Sequence, residues 1–332
     1  MKVQLYIDTA KTKLSVKNRL FYIQNQEKQQ HISPMRIDSI AITSAVQINV
    51  PAIKLAVEHE IPIFIYNSEG KPIAQLRSPD FLKHSNLRYK QLLFMNTLFG
   101  REWARESIKL KTDSQCITLY RWAEDIAGIA GLLQEKIDDI RLLEQKIKSV
   151  DLIRDGWGET LMGLEGNIAR IYFECINLII PQQYYFEKRS RRPGKDYFNV
   201  ALNYIYGLTY SRVTRALQAA GLDTFMGVLH KTTYKETLVY DFIELFRPVM
   251  DRLLIQMCCE NLWQSVHFTP IEGGYLLNRT GKKLIFSHYS EFLHQRINWR
   301  DKVTTIENHI FHEARRLRNS IEKTEMHVSD IL

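Results

Sequence analysis

Cysteine is scarce: there are four in 332 residues, at positions 116, 175, 258 and 259. None stands in a CxxC spacing, which excludes a disulfide framework and a structural zinc site built on thiolates. They read as reduced, small hydrophobes. Long apolar runs are also missing. A membrane span needs roughly 18–20 such residues, whereas the longest candidates, such as 172–180, are short and contain Glu174. The start, Met1-Lys2-Val3-Gln4-Leu5-Tyr6-Ile7-Asp8, lacks the basic-then-apolar pattern of a secretory signal. No membrane association and a cytoplasmic location are therefore expected. Blocks of one charge sign are few. The charged stretch 134–149 mixes both signs on a helical period, which predicts a solvated amphipathic helix and not a binding tail. Internal repeats and low-complexity tracts are absent.

What is there is ordinary globular composition, 45% hydrophobic and 25% charged, enough for a sizeable core. The formal net charge is +8. Residues 1–80 carry 10 Lys/Arg against 7 Asp/Glu, and the remainder 35 against 30. Neither part is strongly basic, so any nucleic-acid footprint must come from local clustering.

The hydrophobic period changes along the chain. Up to about residue 80 the pattern is β-rich: 3–7, 14–16 and 20–23 around a Lys17-Asn18-Arg19 turn, then 37–42, 61–66 and 73–76. Residues 50–60 have helical spacing, with Pro51 suited to a first turn. A turn is expected at 68–72 and a boundary at Ser78-Pro79-Asp80. Beyond it, helical spacing predicts helices over roughly 81–97, 101–126, 130–150, 157–180, 196–220, 235–265 and 301–323. Asn278-Arg279-Thr280-Gly281 is expected to turn between two short strands within 275–286. The fold class is α+β: a small N-terminal β-sheet domain (1–80) followed by a larger, mainly α-helical domain (81–332).

Four segments carry candidate chemistry. In Leu161-Met162-Gly163-Leu164-Glu165-Gly166-Asn167-Ile168-Ala169-Arg170, the small residues 163, 166 and 169 form one stripe. Each helical glycine costs about 1 kcal/mol relative to Ala, so a backbone is expected to approach closely there. Glu165 lies beside the stripe, either as a surface acid satisfied by Arg170 or water, or as a functional carboxylate. His230 follows Gly227-Val228-Leu229 and is either structural or a metal ligand. Asp241 and Glu244, three apart on an otherwise apolar stretch, share a helix face, and Asp251 seven further on faces a similar way. Such acids need a cation. Arg247 would make a structural cluster. A divalent ion is the other reading, and oxygen ligands with one imidazole suit Mn²⁺ or Mg²⁺. The run Lys188-Arg189-Ser190-Arg191-Arg192-Pro193-Gly194-Lys195 is either a solvated loop or a phosphate clamp that positions a duplex without reading its sequence. Lys282-Lys283 and Arg315-Arg316-Arg318 would extend it.

Together these segments resemble the CRISPR adaptation integrase/endonuclease family, the CRISPR-associated "Cas-one" proteins. The resemblance runs over nearly the whole chain and is strongest from Leu161 to Asp251. It is carried by Gly163-Leu164-Glu165-Gly166, by Arg191-Arg192-Pro193 with Asp196 and Asn199, by Gly227 to His230, and by the acidic helix Asp241 to Pro248. It implies that Glu165, His230 and Glu244 hold Mg²⁺ or Mn²⁺, with Asp241 the additional catalytic acid. Glu244 stands where the family more often has Asp, which shifts geometry more than role. The resemblance further implies insertion of short foreign duplexes into a CRISPR array by transesterification, binding of double-stranded DNA, a homodimer formed through the β domain, and assembly with the small partner protein "Cas-two". Water at the same site would instead give a branched-DNA nuclease. A salt-bridged cluster with no chemistry would give a structural DNA-binding subunit.

Overall fold

The computed structural model describes residues 3–26, 28–66, 72–76, 85–232, 234–300, 302–325 and 327. Of the turn expected at 68–72, residues 68–71 lie outside them and Pro72 opens a strand; the boundary at 78–80 and the start of the helix expected from 81 also lie outside. The chain divides into two compact units, Met1–Ser85 and Asn86–Leu332. The expected class holds: a β region comes first and a mainly helical part follows.

The first unit has two four-stranded sheets. One runs in the order β1 (Val3–Ile7), β5 (Ile37–Ile42), β7 (Ile63–Tyr66), β8 (Pro72–Leu76), with β1, β5 and β7 parallel and β8 antiparallel. The other runs β4 (Gln29–Ile32), β3 (Leu20–Gln24), β2 (Thr12–Lys17), β6 (Val46–Ile48). The β2–β3 turn puts Asn18 at φ 53° and Arg19 at φ 57°, the pair of positive values that matches the twist of a two-residue hairpin. Helix α1 (Val50–Glu58) is capped by the Asn49 side chain accepting from the Ala52 N–H at 3.0 Å. Leu14, Phe21, Ile37, Ile40, Leu55 and Ile63 form the centre of this unit's core.

The second unit contains α2 (Ser85–Asn96), α3 (Leu98–Asp125), α4 (Ala130–Lys148), α5 (Trp157–Ile179), α6 (Tyr197–Ala219), α7 (Thr237–Ile243) and α8 (Arg247–Cys259). After these come a hairpin β9 (Phe268–Ile271)/β10 (Gly274–Leu277), α9 (Arg279–Leu293), a hairpin β11 (Arg296–Trp299)/β12 (Lys302–Thr305) and α10 (Ile306–Lys323). Helix α3 packs against α4, α5 and α8, and α6 against α7, α8 and α10. The amphipathic α4 buries Leu133, Ile137, Ile140 and Ile147.

Three expectations are corrected. Residues 235–265 are not one helix: α7 ends at Ile243 and α8 starts at Arg247. Pro248 has no N–H to give, and its ring would collide with the Glu244 carbonyl in a continuous helix. The break sets Glu244 at the junction. It also ends the seven-residue relation to Asp251. Asn278 is not in a hairpin turn. Its side chain accepts from the Gly281 N–H at 2.9 Å and caps α9, while the hairpin turns at Gly273, φ +78°. Residues 302–305 are a strand, so the last helix begins at Ile306, capped by Thr305.

Candidate functional site

The site is assembled from α3, α5, the loop before α7, and the α7–α8 junction. Asp241, on α7, is 4% exposed and is the organising residue. Its Oδ2 accepts from the backbone N–H groups of Val228 (2.6 Å) and Leu229 (3.0 Å). Its Oδ1 accepts from the His230 N–H (3.0 Å) and pairs with His230 Nδ1 (2.6 Å). Gly227 lets the loop come this close: a Cβ there would stand 2.6 Å from the Thr237 carbonyl carbon and 2.8 Å from Asp241 Oδ2. Thr237 Oγ1 holds the loop from below, accepting from the Gly227 N–H at 3.0 Å and donating to the Phe225 carbonyl at 2.7 Å.

A carboxylate only accepts, so in the neutral ring His230 Nδ1 carries the proton and Nε2 keeps the lone pair. The bond to Asp241 raises the His230 pKa above 6.5 against the opposing effect of burial. The stability this bond contributes is complete below pH 6.5 and is lost as pH rises through the folded-state value. NMR titration of the metal-free protein is expected to put the imidazole midpoint above 6.5, and Asp241→Asn to bring it down. A midpoint unmoved by that change would rule out this orientation of the ring.

Glu165 projects from α5, and Glu244 stands at the helix junction. Both meet the ammonium of Lys111, which bonds Glu165 Oε1 and lies 2.6 Å from Glu244 Oε2. Arg247 Nη1 bonds the other Glu244 oxygen at 2.5 Å. Burial alone would raise the Glu244 pKa, but Arg247 and Lys111 outweigh it and hold the carboxyl down at about 2. His230 is close enough to add to that effect. Burial opposes the charge on Lys111, yet Glu244 and Glu165 raise its pKa above 10.5, so it stays an ammonium. As the side chains stand, no three His, Cys, Asp or Glu among the described residues form a ready metal cage; Lys111 lies between the two glutamates.

The structure thus brings Glu165, His230, Asp241 and Glu244 into one region, as the sequence suggests, with several corrections. Arg170 does not satisfy Glu165, because it pairs with Glu174 at 2.7 Å. Among the described ion pairs none joins Asp251 to Lys111 or Arg247, although both lie near enough to feel its charge. Asp251 is buried beneath the Tyr206 hydroxyl, which donates to it at 2.6 Å, and burial pushes its pKa up to about 6. The glycine stripe is not a packing seam: Gly163 and Gly166 are exposed, and a Cβ at either would meet nothing within 4 Å. Lys111 escapes a reading of the sequence. Nothing local separates it from Lys109, an outward-facing partner of Glu106 and Asp113.

A model of the family described as CRISPR associated protein Cas1 matches residues 5–291. The chain belongs to the Cas1 family. A CRISPR-associated endonuclease Cas1 of Saccharolobus solfataricus is 29% identical over 245 residues, covering 73% of this chain and 70% of the relative. One from Thermodesulfovibrio yellowstonii is 29% identical over 289 residues, covering 85% and 88%. Among solved structures, a Cas1 protein from Thermotoga maritima superposes with a TM-score of 0.82 at 22% identity, covering 98% of both chains. A casposase bound to its integration product gives 0.81 at 24% identity, covering 98% of this chain and 92% of that one.

In this Cas1-family chain the basic loop divides by role. Lys188, Arg191, Arg192 and Lys195 are exposed. Arg189, expected with them as part of a phosphate clamp, is turned inward. It bonds Asn199 Oδ1 (2.8 Å), Asn203 Oδ1 (2.7 Å) and the Ser190 carbonyl (2.6 Å), and burial lowers its pKa. Arg189 and Arg247 both lie over the Tyr206 ring, at 5.6 and 5.1 Å. That ring ties the base of the loop to the Glu244 cluster. Of the weaker basic candidates, Arg318 pairs with Glu322 at 3.0 Å and Arg316 with Glu313 at 3.8 Å on their own helix.

Proposed function

We propose that this chain is a divalent-metal-dependent DNA endonuclease and integrase that inserts short foreign duplexes into a CRISPR array. The observation that carries the reading is that Glu165 and Glu244, distant in sequence, gather on one cation beside a histidine whose Nε2 is free. This donor set suits a hard divalent ion: two carboxylates that already attract positive charge, and an imidazole fixed by a carboxylate on its other nitrogen. Glu165, Glu244 and His230 Nε2 are the residues that would hold Mg²⁺ or Mn²⁺. When bound, such an ion polarises a phosphoryl oxygen and stabilises the charge that develops on it.

The protein's own part is positional. Asp241 fixes the imidazole, and Arg247 fixes the Glu244 carboxylate. The exposed stripe at Gly163 and Gly166 leaves the helix surface beside Glu165 clear of side chains, room that a nucleic-acid backbone can use. Lys188, Arg191, Arg192 and Lys195 supply charge for phosphates without reading bases. The reading extends to a homodimer through the β unit, to assembly with Cas2, and to work in the cytoplasm on cellular DNA. Two relatives by fold support it: one solved within a Cas6-RT-Cas1–Cas2 complex and one captured with an integration product.

The decisive experiment supplies Mn²⁺, a labelled short duplex and a plasmid carrying CRISPR repeats. Joined product is expected from the unaltered protein and none from Glu165→Ala. Fragments without joining would favour a branched-DNA nuclease that uses water. One observation favours a non-catalytic DNA-binding subunit: Lys111 and Arg247 already neutralise the glutamates, as in a structural cluster. Activity that is absent in the unaltered protein under every metal would uphold that reading.

Replacing Lys188, Arg191, Arg192 and Lys195 together with Ala is expected to weaken duplex binding evenly across sequences. The slope of log K against log salt should flatten by about 0.9 for each phosphate no longer neutralised. Anisotropy titrations at several salt concentrations test this, and an unchanged slope would remove the loop from the interface. Arg189→Ala should instead lower stability, because its donors serve Asn199 and Asn203.

A further inference from the structure

The side chain that completes the acidic cluster comes from α3, a helix to which none of the site motifs belongs. Lys111 is 6% exposed there, and its ammonium bonds one oxygen of Glu165 and one of Glu244. Among the described ion pairs Arg247 bonds the second oxygen of Glu244 and not Glu165, and it lies over Tyr206. Lys111 is thus the cation that spans both glutamates. Two like-charged carboxylates, Glu165 and Glu244, meet at this point, and an ammonium between them lowers their mutual repulsion. It also occupies lone pairs that a divalent ion would need. Both cations cannot sit on the same two oxygens, because ligand distances of about 2.0–2.3 Å would crowd two positive charges together in a buried setting.

We propose that Lys111 is a resident counter-cation of the Glu165–Glu244 pair, a positioning residue that holds the two carboxylates together in the metal-free protein and that a divalent ion must displace to load the site. The proposal rests on the metal-site reading above. Its consequence is a site that is preorganised and self-neutralised before loading. The displaced ammonium weakens divalent affinity, so the lysine sets the concentration at which the site fills.

The test reads metal binding and not catalysis. Mn²⁺ binding to the intact chain is measured by calorimetry and by electron paramagnetic resonance of free Mn²⁺, for the unaltered protein, Lys111→Gln, Lys111→Met and Glu165→Gln. Both lysine variants are expected to bind Mn²⁺ about tenfold or more tightly than the unaltered protein, since a repelling unit charge is gone. Both should also unfold at lower urea without metal. Glu165→Gln should lose binding. Equal or weaker binding in the lysine variants, with Glu165→Gln still silent, overturns the role of Lys111 and leaves the metal site standing. Binding that survives Glu165→Gln, or that fails in all four proteins, overturns the metal reading and this proposal with it. If neither lysine variant folds, the ¹⁵Nζ signal of Lys111 in the unaltered protein decides. It should lose its protection from exchange as Mg²⁺ saturates, and a signal that stays protected at saturation overturns the proposal.

Discussion

Glu244→Gln is expected to reduce both cleavage and joining of DNA by well over two orders of magnitude. Changes merely one step removed from a metal cost about 10–100-fold, and this one removes a proposed ligand. It should also destabilise the metal-free protein. Lys111 and Arg247 both bond Glu244, the first buried and the second half-buried. Without its charge they lose the carboxylate that both bond, so a loss of about 3 kcal/mol is expected, the lower end for breaking a buried pair because an amide oxygen still accepts. Glu165→Gln separates the two effects. Its side chain is 28% exposed and bonds only Lys111 among the described ion pairs, so activity should fall as far while stability falls less. The pH dependence has a definite sign. Glu244 is depressed to about 2 from 4.5, so its contribution is full above pH 4.5 and is lost as pH falls towards 2. Urea melts without metal, paired with single-turnover DNA assays, measure both. A glutamine variant that keeps its rate within threefold would remove Glu244 from the reaction.

Much of this site is legible without any coordinates. Asp241 and Glu244 share a helical spacing, but His230 and Glu165 join them in the sequence reading only through the resemblance to the Cas1 family, carried by Gly163-Leu164-Glu165-Gly166 and by Gly227 to His230. Six strands of the first unit and most helices follow from period and caps, whereas β4, β6 and the two hairpins of the helical unit do not. What escapes has a common physical cause, which is that its partners are remote. Lys111 reaches residues 54 and 133 positions away, and no local pattern marks a lysine as inward-facing. Arg189 looks like its exposed neighbours until Asn199 and Asn203 close on it from the next helix. The glycine stripe reads as a packing seam because helical glycine is costly, yet the helix leaves it open. The division of roles among the acids depends on Pro248, whose break turns Glu244 toward Arg247 and Lys111 and leaves Asp241 facing the loop.

That division makes Asp241→Asn a sharper probe than its conservative size suggests. All four contacts to this side chain come from donors: three backbone N–H groups and His230 Nδ1. An amide can turn only one acceptor toward them, so its NH₂ must oppose either the Val228 and Leu229 N–H pair or the His230 pair. Either way at least one backbone donor loses its acceptor in a place only 4% exposed. A loss of about 1–3 kcal/mol is expected, the cost of one buried donor left unpaired. Glutamate should not rescue it, because one more methylene carries the carboxylate away from the N–H groups of residues 228–230 that it now caps. With the carboxylate gone, neither tautomer nor ring orientation of His230 is fixed, and Mn²⁺ affinity should fall about 10–100-fold. Hydrogen exchange at residues 228–230 gives a third, local reading: these amides should open at a lower free energy than the rest of the helical unit. Unchanged stability together with unchanged protection at 228–230 would mean that the loop is held by something other than Asp241, and that the histidine is aimed by some other group.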